Sequence, residues 1–277
     1  MDPVIGFIFI GWCSGFLGSM VGLGGGIIMV PALTMVYGVD IKTAISASLV
    51  SMIATSVMAS SVFAKKDLIH FKLGLILITT TIVGSFAGSY LAIFLRGPVL
   101  MMLFATLMVI AAFSMVYRIY RRPDNDNPSP DENIDHSSGF LDIQGKYSLE
   151  GPTRVYVVHR VPANIVLSTF AGCLSGMLGV GGGIIQVPIM HMVGRVPIKI
   201  ATATSSFMIG FTGLAGALIY FLHDQISPVI TASMVIGIIA GSYLGSRVAV
   251  KAQSIVISWI LILALLITST RMFAKAW

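Results

Sequence analysis

Gly22-Leu23-Gly24-Gly25-Gly26-Ile27-Ile28-Met29-Val30-Pro31 occurs a second time, 157 residues later, as Gly179-Val180-Gly181-Gly182-Gly183-Ile184-Ile185-Gln186-Val187-Pro188. Across Gly15–Pro31 and Gly172–Pro188, 11 of 17 positions are identical, so the chain is one unit written twice. The same offset relates Ile41-Lys42 to Ile198-Lys199, Ala44 to Ala201 and Ser48 to Ser205. Ala87-Gly88-Ser89-Tyr90-Leu91 matches Ala240-Gly241-Ser242-Tyr243-Leu244 at an offset of 153. The most unusual part of the unit is a run of glycines inside an apolar segment.

Hydrophobic residues make up 56% of the 277 and charged residues 10%, with a mean hydropathy of +0.93. A soluble domain carries about 25% charged residues, so this chain is read as a multi-pass membrane protein. Its apolar runs have the roughly 20-residue length of a bilayer-crossing helix and lack the alternation of a membrane barrel. A water-soluble helical fold is the weaker alternative, because too little polar surface exists to cover it. The net charge of +6 does not indicate a nucleic-acid partner, since the cations sit at segment ends where they set orientation. Cys13 and Cys173 lie in apolar helix and read as packing residues, without metal-site spacing. The start, Met-Asp-Pro-Val-Ile-Gly, lacks a basic signal-peptide region, so the first apolar stretch is expected to be retained.

Residues 4–37 are apolar but broken at Gly22–Gly26. Consecutive glycines are poor helix, at about 1 kcal/mol each against alanine. Two shorter helices are predicted, 4–21 and 27–37, followed by spans over 43–64, 73–95 and 98–119. The second unit repeats this order: a broken pair at 163–194, then spans at 199–222, 227–248 and 253–274. Between them, Arg-Arg-Pro-Asp-Asn-Asp-Asn-Pro-Ser-Pro-Asp-Glu has a disordered composition. Phe140–Leu149 and Val155–Val158 could form short strands. The division is thus a first transmembrane repeat at 1–119, a cytoplasmic polar linker at 120–161 and a second repeat at 162–277.

If each broken pair enters and leaves on one side, each unit has three full spans and the second is inverted. With the linker in the cytoplasm, lysines and arginines then divide 13 inside to 4 outside. If each pair crosses once, the division is 11 to 6. The positive-inside tendency favours the inverted arrangement.

Inverted repeats with discontinuous helices are a transporter architecture. Irregular backbone at membrane depth must be packed in protein or line a cavity. The helices starting near Ile27 and Ile184 would aim their N–H groups and partial positive charge at one centre, and glycine lets a ligand approach closely. The expected substrate site is therefore Gly24, Gly25 and Gly26 with Gly181, Gly182 and Gly183. The competing reading is close helix packing, which is preferred for Gly84, Gly88, Gly237 and Gly241. Ser48 and Ser205 could donate to an oxyanion or bond helix backbone. Gln186 stands where the first unit has Met29, and could grip one end of an asymmetric ligand. His191, opposite Thr34, is the only histidine inside an apolar segment. It reads as a proton-coupling group, a ligand contact or a packing histidine.

All 11 acidic residues fall outside the spans or at their ends, which weighs against a cation pump or a carboxylate-driven antiporter. The sequence shows no Ser/His/Asp set, no zinc spacing and no ATP-binding motif. The glycine run follows no strand, so it lacks the context of a phosphate cradle. No enzyme, cofactor or metal site is expected. A cation transporter using methionine and histidine ligands finds little support, because the 16 methionines are scattered.

The duplicated Gly-x-Gly-Gly-Gly-x-x-x-x-Pro element, the broken helices, the hydroxyl-rich following span and the central loop resemble the sulfite exporter TauE/SafE family. The resemblance covers both repeats and leaves out the linker. It implies an all-α inverted-repeat transporter of the bacterial inner membrane, exporting a small sulfur-containing anion such as sulfite, an organosulfonate or sulfoacetate. Its partners would be that anion and the lipid bilayer, with no nucleic acid, and a homodimer is compatible with it. The alternative function is a membrane scaffold or sensor whose linker docks a partner.

Overall fold

The computed structural model describes residues 3–120, 143–147, 154–251 and 255–276. The first half contains α1 (Pro3–Val21), α2 (Gly26–Val36), α3 (Ile41–Ala64), α4 (Phe71–Phe94) and α5 (Gly97–Tyr120). An antiparallel hairpin follows, β1 (Ile143–Tyr147) with β2 (Arg154–Val158), in the register Ile143 to Val158. The second half contains α6 (Val161–Leu178), α7 (Gly183–Pro188), a π-helical turn (Ile189–Val193), α8 (Ile198–Leu222), α9 (Pro228–Lys251) and α10 (Ile255–Ala276). Seven of these helices are long and apolar enough to cross a membrane, α1 and α6 among them. Phe94, Phe113, Phe170, Phe221 and Leu263 are exposed, as side chains facing hydrocarbon would be. The chain is an all-α polytopic membrane protein with one small β-hairpin.

The glycine runs end α1 and α6 as their composition predicts. Gly22, Gly24 and Gly25 have φ of 77°, 77° and 80°, and Gly179, Gly181 and Gly182 have 67°, 82° and 66°. That left-handed backbone is costly for any residue with a Cβ, and it reverses the chain. At the far end of α2, the ring of Tyr37 lies 4.7 Å from that of Phe7, near the start of α1. In the second half, the N–H of His159 donates to Gly194 O at 3.1 Å, joining the residues that flank the α6–α7 pair. Each broken pair is therefore a hairpin that begins and ends on one side of the molecule.

Small residues set how the helices meet. A Cβ on Gly15 would meet Ile238 of α9, and one on Gly172 would meet Thr81 of α4, main chain in both cases. These contacts run α1 parallel to α9, and α6 parallel to α4. Between α3 and α8 the numbering runs oppositely. Ser56 donates to Phe207 O at 3.1 Å, while Gly213 packs on Leu49 O. The repeat-equivalent helices α3 and α8 thus lie antiparallel. The helix ends sort the cations accordingly. Lys42, Arg96, Arg271 and Lys275 lie on one side, and Lys65, Lys66, Lys72, Arg160, Arg195, Lys199 and Arg247 on the other.

The packing corrects one register. Gly84 sits on Thr169 O and Cys173 N, while Gly241 sits on Trp12 O and Phe16 N. Gly88 sits on Cys173 O, and Gly245 on Phe16 O. Each such pair is 157 residues apart, so Gly88 corresponds to Gly245, not to Gly241. The Ala-Gly-Ser-Tyr-Leu match at 153 is one helical turn out of register. Small residues recurring every fourth position make the two alignments look alike. These glycines serve helix packing, as expected.

The linker is not wholly aqueous. Tyr156 and Val158 of β2 are buried among Leu73, Val187, Met190 and Val196. The hairpin therefore rests on the ends of α4, α7 and α8. Residues 121–142 and 148–153 of the linker lie outside the described residues.

Candidate functional site

The tips of the two hairpins cross at the centre of the molecule. A Cβ on Gly26 would strike Gly179 O, and one on Gly183 would strike Gly22 O. Gly24 and Gly181 both lie against Met52 and Ile209, with built Cβ contacts between 2.8 and 3.6 Å. Met52 and Ile209 are midway along α3 and α8, so the crossing is level with the middle of the spans. The tips touch directly, and no gap separates Gly26 and Gly183 from the opposing turn.

Two serines pin the crossing. Ser48 Oγ donates to Gly179 O at 2.6 Å, and Ser205 Oγ to Gly22 O at 3.5 Å. Each hydroxyl bonds a turn carbonyl of the opposite half, as repeat equivalents would. Gly25 and Gly182 are the left-handed N-caps of α2 and α7, and neither helix start receives a side-chain cap. A helix start has N–H groups without intrahelical acceptors, so both turns present donors.

The surroundings of the crossing are not symmetric. On the second-half side lies a cavity of about 10 Å³ bordered by Thr81, Gly181, Gly182, Gln186, Ser205 and Thr212, the space of roughly one water molecule. Ala171, Gly172, Met208 and Ile209 complete its wall. No lining residue is charged. Gln186 is 3% exposed and its Nε2 donates to Ser168 Oγ at 2.8 Å, while its Oε1 has no partner among the described residues. Ser175 Oγ, 3.5 Å from a Cβ built on Gly182, is also buried without a partner. At 157 residues' offset, the place of Gln186 is taken by Met29 and that of Thr81 by Ile238, which are 1% and 0% exposed.

The structure brings four predicted site residues to the cavity: Gly181, Gly182, Gln186 and Ser205. Gly183 lies in the crossing, and Gly24, Gly25, Gly26 and Ser48 belong to the opposing tip. His191 is not brought there. It sits in the π-helical turn, with Nδ1 3.0 Å from Val196 O. That contact is a hydrogen bond in the Nδ1–H tautomer. Pro188 precedes this turn, and its missing N–H and its ring favour such a local widening. Thr81 and Thr212 were missed from sequence. The available signal was the run Thr79-Thr80-Thr81 in mid-helix, which reads equally as hydroxyls bonding their own backbone.

Seven helices able to cross a membrane and two glycine-broken hairpins that meet beside an uncharged polar cavity make this a multi-pass membrane protein, and its relatives are membrane transporters. The family model for the sulfite exporter TauE/SafE matches residues 7–272, and the chain belongs to that family. It is 27% identical over 267 residues to the probable membrane transporter protein YunE of Bacillus subtilis, covering 94% of this chain and 93% of that one. It is 26% identical to a probable membrane transporter protein of Methanocaldococcus jannaschii, covering 88% and 85%. A shorter match, 29% over 98 residues, covers 35% of this chain and 20% of sulfite exporter TauE/SafE family protein 2 of Arabidopsis thaliana. No solved structure matches the chain.

Proposed function

We propose that the protein exports a small sulfur-containing anion (sulfite, an organosulfonate or sulfoacetate) across the bacterial inner membrane. Its two halves act as inverted repeats, and alternating access operates around a site at the bilayer midplane. The family's description supports the substrate class. The observation that carries the site is the pairing of two uncapped, glycine-built helix starts with an uncharged cavity. Backbone donors and amide dipoles attract an anion at a helix start, and no buried carboxylate opposes it. Binding there must enlarge the cavity, and Met208 is a side chain flexible enough to yield. Gly24–Gly26, Gly181–Gly183, Gln186, Ser48 and Ser205 form or support the site. His191 acts outside it, by holding the return of the second hairpin. With the linker in the cytoplasm, a negative interior potential drives an anion outward at about 2.3 kcal/mol per charge per 100 mV.

The test is flux in proteoliposomes under an imposed potential, comparing sulfite, a small sulfonate and sulfate. Movement of one of the first two, lost in Gly182→Val, is the expected result. Movement of none of them by folded protein rejects the reading.

A further inference from the structure

We infer that the cavity takes its anion carrying a proton, so that proton and anion cross together with a net charge of one. This rests on the transport reading above and narrows its substrate. The three hydroxyls that border the cavity have already committed their hydrogens. Thr81 Oγ1 donates to Ile78 O at 3.0 Å, Thr212 Oγ1 to Ile209 O at 3.0 Å, and Ser205 Oγ to Gly22 O at 3.5 Å. A hydroxyl has one hydrogen and two lone pairs. With the hydrogen turned to the backbone, what remains for a ligand is an acceptor. Gln186 differs in part: Nε2 gives one of its two hydrogens to Ser168 Oγ, and the atom left without a partner among the described residues is the acceptor Oε1.

A fully deprotonated oxyanion offers only acceptors. Against the oxygens of Thr81, Thr212 and Ser205 and the Oε1 of Gln186 it would meet lone pairs with lone pairs, leaving buried acceptors unpaired on both sides, a costly outcome. An oxyanion retaining one O–H turns that mismatch into a hydrogen bond, while its remaining oxygens face the backbone donors of the glycine turn. Charge argues the same way. No cation lines the cavity, and each unneutralised charge buried costs several kcal/mol. A dianion such as sulfite or sulfate is therefore disfavoured against hydrogen sulfite. The proton needs no relay through the protein, in keeping with spans that contain no acidic residue at mid-depth. A sulfonate, singly charged but without an O–H, satisfies the charge requirement and fails the hydrogen-bond requirement.

The experiment uses the intact chain in proteoliposomes with sulfite as the probe. Initial flux and charge moved per anion are recorded at pH values on either side of the hydrogen sulfite–sulfite ionisation. At constant total sulfite, flux should fall about tenfold per pH unit above that ionisation, with one charge per anion throughout. Methanesulfonate should neither move nor compete. Thr81→Val, which keeps the shape and removes the acceptor, should lower flux about tenfold, and Thr81→Ser should restore it. Two charges per sulfite, or flux that follows the dianion as pH rises, overturns the inference while leaving an anion transporter. Absence of flux for every anion at every pH overturns the transport reading and this inference with it.

Discussion

The two glycine turns share a backbone and differ in what surrounds them. Both reverse the chain through left-handed glycines, both lose a carbonyl to a serine of the other half, and both open a helix without a side-chain cap. Yet the polar cavity borders the second turn, where Gln186 and Thr81 stand in place of Met29 and Ile238. The shared glycines build the crossing, and a few unshared side chains make the polar space. The first half is not wholly apolar, since Ser51, equivalent to Met208, has a buried Oγ without a partner among the described residues. Ser51 is not among the residues that border the cavity, to which the first half contributes Thr81.

The comparison is most easily broken at the crossing itself. Gly26→Ala and Gly183→Ala each drive a methyl into an opposing main-chain carbonyl, which cannot yield as a flexible side chain does. Both should abolish flux and sharply lower the amount of folded protein, measured by size exclusion in detergent. Wild-type levels of folded, active protein in either variant would mean that the tips do not meet.

One position earlier the halves should differ. A Cβ on Gly25 comes within 2.7 Å of Ser14 O, whereas one on Gly182 finds Ser175 Cβ at 3.3 Å and Ala171 O at 3.6 Å. Gly182→Ala then carries mainly the left-handed backbone penalty of about 1–2 kcal/mol, and Gly25→Ala carries that plus a clash. Thermal unfolding should show the larger loss for Gly25→Ala. Equal losses would show that backbone strain alone governs both turns.

The serines offer the smallest contrast. Ser48→Ala removes a 2.6 Å bond and Ser205→Ala a 3.5 Å one. The first should cost about 1 kcal/mol of stability and the second less. Only Ser205 borders the cavity, so Ser205→Ala should affect flux more than stability. The reverse ranking in melting and transport assays would remove the distinction between pin and lining.

Much of this was legible in the sequence, and the parts that were not share a cause. Repeated glycines in an apolar run announce a chain reversal, because few other residues tolerate that backbone. The Gln186-for-Met29 exchange stood out within an otherwise identical stretch. Thr81 did not, because it reaches the cavity through the contact of α4 with α6, a pairing between halves that local sequence does not encode. The 153-residue match misled for a related reason: small residues every fourth position fit a helix interface equally well after a slip of one turn. His191 was prominent for being polar in an apolar segment, and that polarity is used by Val196 O. The strands of the linker were visible as short β-prone runs, but the burial of Tyr156 and Val158 of β2 against α4, α7 and α8 was not.

The most direct measurement exchanges the differing residues between the halves: potential-driven sulfite flux in proteoliposomes containing Gln186→Met or Met29→Gln. The account predicts that Gln186→Met, which puts the first half's side chain beside the second turn, removes most of the flux while the protein stays folded. Met29→Gln should retain flux and lose about 1–3 kcal/mol of stability by burying an unpaired amide. Full flux in Gln186→Met, or loss of flux only in Met29→Gln, would contradict the assignment of the site to the second turn.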